Sequence, residues 1–107
     1  MEQKIKNAFC RLIKQAWYES QACYGYLLCH TTNYPVLLSH TSNINSYYAG
    51  ATAMYYSNLE VLNDTKVKPL LHQLQIFASE VSSTVCKDGS HQCSSIEFEK
   101  LEELYNN

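Results

Sequence analysis

Glycine and proline are scarce in this chain, three and two among 107 residues, and the scarcity excludes the many-turned architecture that a small β fold requires. Also lacking is any apolar run of the length that a membrane span or signal peptide needs. Met1 is followed by Glu2, Gln3, Lys4, Ile5 and Lys6, so the chain reads as cytoplasmic. No glycine-rich phosphate loop is present, and no serine or cysteine nucleophile can be matched by spacing with a base and an orienting acid. Conventional hydrolase or nucleotide-binding activity is therefore not expected, and no cofactor is implied. A formal net charge of -2 speaks against bulk attraction to nucleic acid or to an anionic membrane. Internal repeats and low-complexity tracts are absent.

Hydrophobic residues make up 46% and charged residues 17%, the balance of a globular chain. Its length suits one domain, residues 1–107, burying about two-thirds of the surface that the unfolded chain exposes. The five cysteines are an odd number without an export signal, and read as reduced thiols or ligands rather than as a disulfide framework.

Apolar spacing predicts four helices. From residue 4 to about 31, Ile5, Phe9, Leu12, Ala16, Cys23 and Leu27 form one row, with Ile13, Trp17, Tyr24 and Leu28 beside it, while Asn7, Arg11, Lys14, Tyr18 and Gln21 form the polar side. Cys10 and Cys23 are expected in the core. Pro35 ends this helix and opens a second, from residue 35 to about 62, whose row is Leu37, Ile44, Tyr48, Ala51, Tyr55, Leu59 and Leu62. Residues 39–46 are its weak part, because Ser, Thr and Asn compete with the helix through local hydrogen bonds, and a start as late as Asn45 is the alternative. After a turn at Asn63, Asp64 and Thr65, a third helix carries Val67, Leu70, Leu71, Leu74, Phe77, Ala78, Val81 and Val85. Ser94 and Glu97 have capping-box spacing, so a short fourth helix is predicted to begin near Ser95, burying Ile96, Phe98, Leu101, Leu104 and Tyr105. Short connections make this an all-α, antiparallel up-down-up-down four-helix bundle.

His40 stands out on the second helix. His40-Thr41, Gly50-Ala51 ten residues on, and Met54 one turn further resemble the signature of histidine phosphotransfer domains, four-helix bundles that relay phosphoryl groups in two-component signalling. The resemblance implies that His40 is an exposed nucleophile that takes a phosphoryl group from the aspartyl phosphate of one receiver domain and passes it to another. It makes Asn43, Ile44, Tyr47 and Gly50 the partner-binding surface. Where that family has lysine and glycine, three and four residues after the histidine, this chain has Asn43 and Ile44; a degenerate relative would keep docking without the chemistry. An imidazole suits the reaction because much of it is unprotonated near neutral pH, and the partner supplies most of the electrostatics.

A second reading treats His40 as an ordinary helix residue and the chain as a helical adaptor or assembly subunit that binds a protein through its tyrosine-rich second helix. Tyr48 and Tyr55 are expected inside, with Tyr47 and Tyr56 outward as interface anchors. The bundle also brings Cys29 towards Cys86, His91 and Cys93, a set whose chemistry suits zinc, against the simpler reading of cysteines as packing. His72 is expected at the surface or its boundary rather than as a catalyst.

Overall fold

The computed structural model describes residues 2–29, 34–87 and 92–106, with side chains over the same ranges except 84–87 and 92–94. These residues contain four helices: α1 (Glu2–Leu28), α2 (Tyr34–Ser57), α3 (Val67–Lys87) and α4 (Gln92–Asn106). The fold is all-α, as expected. Each helix packs on the next in sequence, and α1 also touches α3 and α4, an arrangement consistent with a bundle. Its principal extents are 45 × 22 × 18 Å.

On α1 the expected row is buried at Phe9, Ile13, Ala16, Trp17, Cys23 and Leu27. Ser20 joins them by donating its hydroxyl to the Ala16 carbonyl at 2.8 Å, which satisfies the one polar group that the row carries. Two expectations fail at the margins of this face. Cys10 is exposed rather than core, at the edge of the face where it lines an open cavity between α1 and α3, and Leu28 in the last turn is exposed too.

The second helix runs without a break through residues 39–46. Its hydroxyls turn back onto the helix instead of competing with it. Thr41 donates to the Leu38 carbonyl at 2.9 Å and Ser46 to that of Ser42 at 3.1 Å, the back-bonding that lets such residues sit inside a helix. The helix ends at Ser57, five residues before the predicted end, where the Asn58 side chain donates to the Met54 carbonyl at 2.9 Å. Leu59 is consequently exposed, whereas Leu62 still reaches the core from the connecting turn.

Asp64 organises the entry to α3: its side chain accepts from the Lys66 amide at 2.9 Å, and its carbonyl accepts from the Val67 amide at 3.1 Å. Pro69, third in the helix, falls where a missing N–H costs nothing. Leu71, Leu74, Phe77, Ala78 and Val81 are buried and Val67 and Leu70 half-buried; the Val85 side chain lies outside the described residues.

The fourth helix begins at Gln92, three residues earlier than predicted. Ser94 is therefore inside the first turn, and Glu97 faces α3 rather than closing a capping box. Gln73, itself buried, donates to the Glu97 carboxylate at 2.6 Å and to its carbonyl at 2.9 Å. Ile96, expected inside, is 52% exposed, since it sits about 200° from Phe98 on a helix of 3.6 residues per turn. Phe98 is the hub of the aromatic core: it stacks on Tyr24 at 4.1 Å and Trp17 at 5.4 Å between ring centroids, and meets the edge of Phe77 at 5.5 Å. Tyr105 stacks on Trp17 at 4.7 Å.

Candidate functional site

His40 lies on the seam between α1 and α2. On α1, Leu12, Glu19 and Tyr26 recur at intervals of seven, which holds them on one side of the helix, and all three meet α2. The Leu12 methyls lie 3.6 and 3.8 Å from where a Cβ on Gly50 would stand. Further along, the His40 ring stacks on Tyr26, with centroids 5.5 Å apart and planes 29° from parallel. Its Nδ1 is 2.5 Å from Glu19 Oε2. The two side chains are 21% and 23% exposed, so the pair is sheltered but reachable.

A carboxylate only accepts, so in the neutral ring this contact puts the proton on Nδ1 and leaves the lone pair on Nε2. No described residue hydrogen-bonds Nε2. Glu19 has a second neighbour one turn along its own helix: Cys23, fully buried, whose thiol is pushed up to about 12, first by burial and then by the Glu19 charge. That thiol stays protonated at neutral pH and serves as core, as the sequence suggests.

The other residues of the predicted surface fare unevenly. Asn43 is exposed, and Gly50 is exposed where Leu12 approaches it. Ile44, by contrast, is 0% exposed, so it packs the core and cannot dock a partner. Tyr47 is half-buried against the core rather than turned outward. Tyr55 is buried and Tyr56 is 58% exposed, as expected, while Tyr48 is half-buried and donates its hydroxyl to Gln75 at 3.4 Å. Neither Glu19 nor Tyr26 stands out in the sequence. The signal that finds them is the interval of seven shared with Leu12, which identifies the flank of α1 nearest α2.

Of the zinc set, Cys29 is exposed; His91 and the Cys86 and Cys93 side chains lie outside the described residues. Among the described residues, no three metal-ligating side chains converge. His72 is exposed and lines an open groove of about 390 Å³ between α2 and α3, with Tyr48, Thr52, Tyr56, Lys68, Pro69 and Leu71. The Thr52 hydroxyl there is buried without a partner. No helix among the described residues is long and apolar enough to cross a membrane. No protein-family model, curated protein or solved structure matches the chain.

Proposed function

We propose that this protein is a cytoplasmic phosphocarrier that holds a phosphoryl group on His40 within an antiparallel four-helix bundle, in the manner of the histidine phosphotransfer domains it resembles. The observation that carries the reading is the Glu19–His40 contact, which turns a lone helical histidine into an oriented nucleophile with a free nitrogen. In the transfer, the Nε2 lone pair attacks the phosphorus of an aspartyl phosphate on a receiver domain, and the bond from phosphorus to the aspartyl oxygen breaks. The released carboxylate stays with the receiver. Nδ1 keeps its proton, shared with Glu19, whose charge offsets the positive charge that the ring gains.

The antiparallel arrangement is supported by contacts whose positions run in opposite directions along paired helices. Leu12 meets Gly50 while Glu19 meets His40, and Trp17 meets Tyr105 while Tyr24 meets Phe98. With Ile44 and Tyr47 inward, the docking surface reduces to Asn43, Gly50 and the exposed flank of Tyr26; Asn43 offers an amide donor to the phosphoryl oxygens. Incubation with a phosphorylated receiver domain and magnesium tests the reading. Acid-labile phosphate should appear on the wild type and be absent from His40→Gln, and failure to label with a panel of receivers would overturn it.

A second reading, a helical adaptor without chemistry at His40, is favoured by one separate feature: exposed Tyr56 at the edge of the α2–α3 groove with its orphaned Thr52 hydroxyl. It predicts a partner whose binding is lost in Tyr56→Ser and unchanged in His40→Gln.

A further inference from the structure

One long corner of the bundle is only half covered. At about 1.5 Å per residue, α1 is about 40 Å long and α4 about 22 Å, and α4 meets α1 at Tyr24 and Trp17. Along the first half of α1 the floor between α1 and α3 lies open. Two cavities, of about 420 and 440 Å³, share Phe9 and Cys10 and so form one furrow. Ile13, Leu62, Val67 and Leu70 complete its apolar floor, and Tyr105 of α4 closes one end.

The rim is basic. Lys6 and Lys14 line the furrow, and neither has a carboxylate within ion-pair distance among the described residues; Lys14 lies over the Tyr18 ring at 6.0 Å. Asp64 is the acidic residue of the lining, and its side chain is engaged by the Lys66 amide. Val67, the first residue of α3, lines the same cavity as Lys6, so the positive end of that helix dipole adds to the lysine there. The other half of the corner is filled by α4, an amphipathic helix with Phe98 and Tyr105 on its inner side and Glu99, Glu102 and Glu103 exposed.

We infer that the furrow between α1 and α3 is a docking site for an acidic amphipathic helix of a partner protein, lying in line with α4, its apolar stripe on Phe9 and Leu70 and its carboxylates between Lys6 and Lys14. This is helix-in-groove recognition, at a surface lined by none of the residues that contact His40 and independent of any chemistry there. Cys10, exposed on the furrow wall, gives a handle for blocking it.

The test is selection from a displayed library of amphipathic helices, about four turns long, with a fixed apolar stripe and random flanks, on the full chain. The expected result is enrichment of Glu- and Asp-rich flanks. Affinity should fall by about tenfold or more in Lys6→Glu/Lys14→Glu and in Cys10→Trp, be intact in Tyr56→Ser, and weaken with salt. Lys6→Gln/Lys14→Gln replaces the charge reversal if that variant loses its helical circular dichroism. No enrichment, neutral or basic winners, equal affinity for the lysine variants, or self-association of the chain through Lys6 and Lys14 would each overturn the proposal.

Discussion

Glu19 on α1 holds Nδ1 of His40 on α2 at 2.5 Å, with Tyr26 stacked on the same ring. The two partners come from one helix and the imidazole from another, so the setting of the His40 ring depends on how α1 and α2 pack. Glu19→Gln keeps the shape and removes the charge. In the phosphotransfer assay the labelling rate of His40 should fall by about tenfold, roughly 1.4 kcal/mol of transition-state stabilisation, while melting changes little, since a partly exposed pair contributes at most about 1 kcal/mol. Equal loss of rate and of fold would mark Glu19 as merely structural.

Cys23 should be silent towards thiol reagents in the native state, whereas exposed Cys10 and Cys29 react at once. Mapping alkylated peptides after a short pulse checks this. The pH dependence follows from the direction of the shift. The native thiol holds its proton up to about 12, and the unfolded one loses it near 9.0. Stability from this group is thus full below pH 9 and declines by about 1.4 kcal/mol per pH unit as pH rises from there towards 12. Denaturant titrations of the wild type and Cys23→Ala at pH 8 and 10 should show the steeper decline in the wild type.

Gly25 and Gly50 sit inside helices with room for a methyl group. Nothing lies within 4 Å of a Cβ at Gly25, and Leu12 stands at ordinary contact distance from one at Gly50. Each glycine to alanine change should stabilise the fold by about 0.5–1 kcal/mol, visible as a rise of a few degrees in Tm. Because Gly50 belongs to the proposed docking surface, Gly50→Ala should slow phosphotransfer while raising Tm, and an unchanged rate would remove Gly50 from that surface.

Phe77 is fully buried with its edge on Phe98, and Ile96 on the neighbouring helix is exposed. Phe77→Ala should cost about 3–5 kcal/mol, and Ile96→Ser less than about 0.5 kcal/mol. Urea denaturation midpoints distinguish the two. A large loss at Ile96 would mean that its face of α4 is covered in solution.

The Gln73 amide holds α3 to α4 through both the carboxylate and the carbonyl of Glu97. Gln73→Leu removes both bonds, one of them to a charged acceptor, and should destabilise by about 1–3 kcal/mol, with loosened near-ultraviolet circular dichroism from the Trp17–Phe98–Tyr105 stack as the accompanying signal.

How much of this was legible in the chain itself is clearest on α1 and α3. Their buried rows at Phe9, Ala16 and Leu27, and at Leu74, Phe77 and Val81, are where the apolar period puts them, because a helix in water must turn that face inward whatever its neighbours are. The same holds for the turn at Asp64, which is local backbone chemistry. Helix ends were less legible. Asn58 ends α2 and Gln92 opens α4 against the periodic pattern, since hydrophobic spacing says nothing about which side chain caps a carbonyl.

Residues on the flanks of a helix were decided only by tertiary structure. Cys10 and Tyr47 each lie near the border of an apolar face, where the sequence allows either side and the neighbouring helix decides. His40 is the same case. Its place on α2 is written in the sequence, but its pairing with Glu19 and Tyr26, twenty-one and fourteen residues away along the chain, exists only once α1 and α2 share a seam. Periodicity specifies which face of a helix goes inward; the relative rotation of two packed helices specifies which side chains meet at its edges, and that rotation is a property of the whole core.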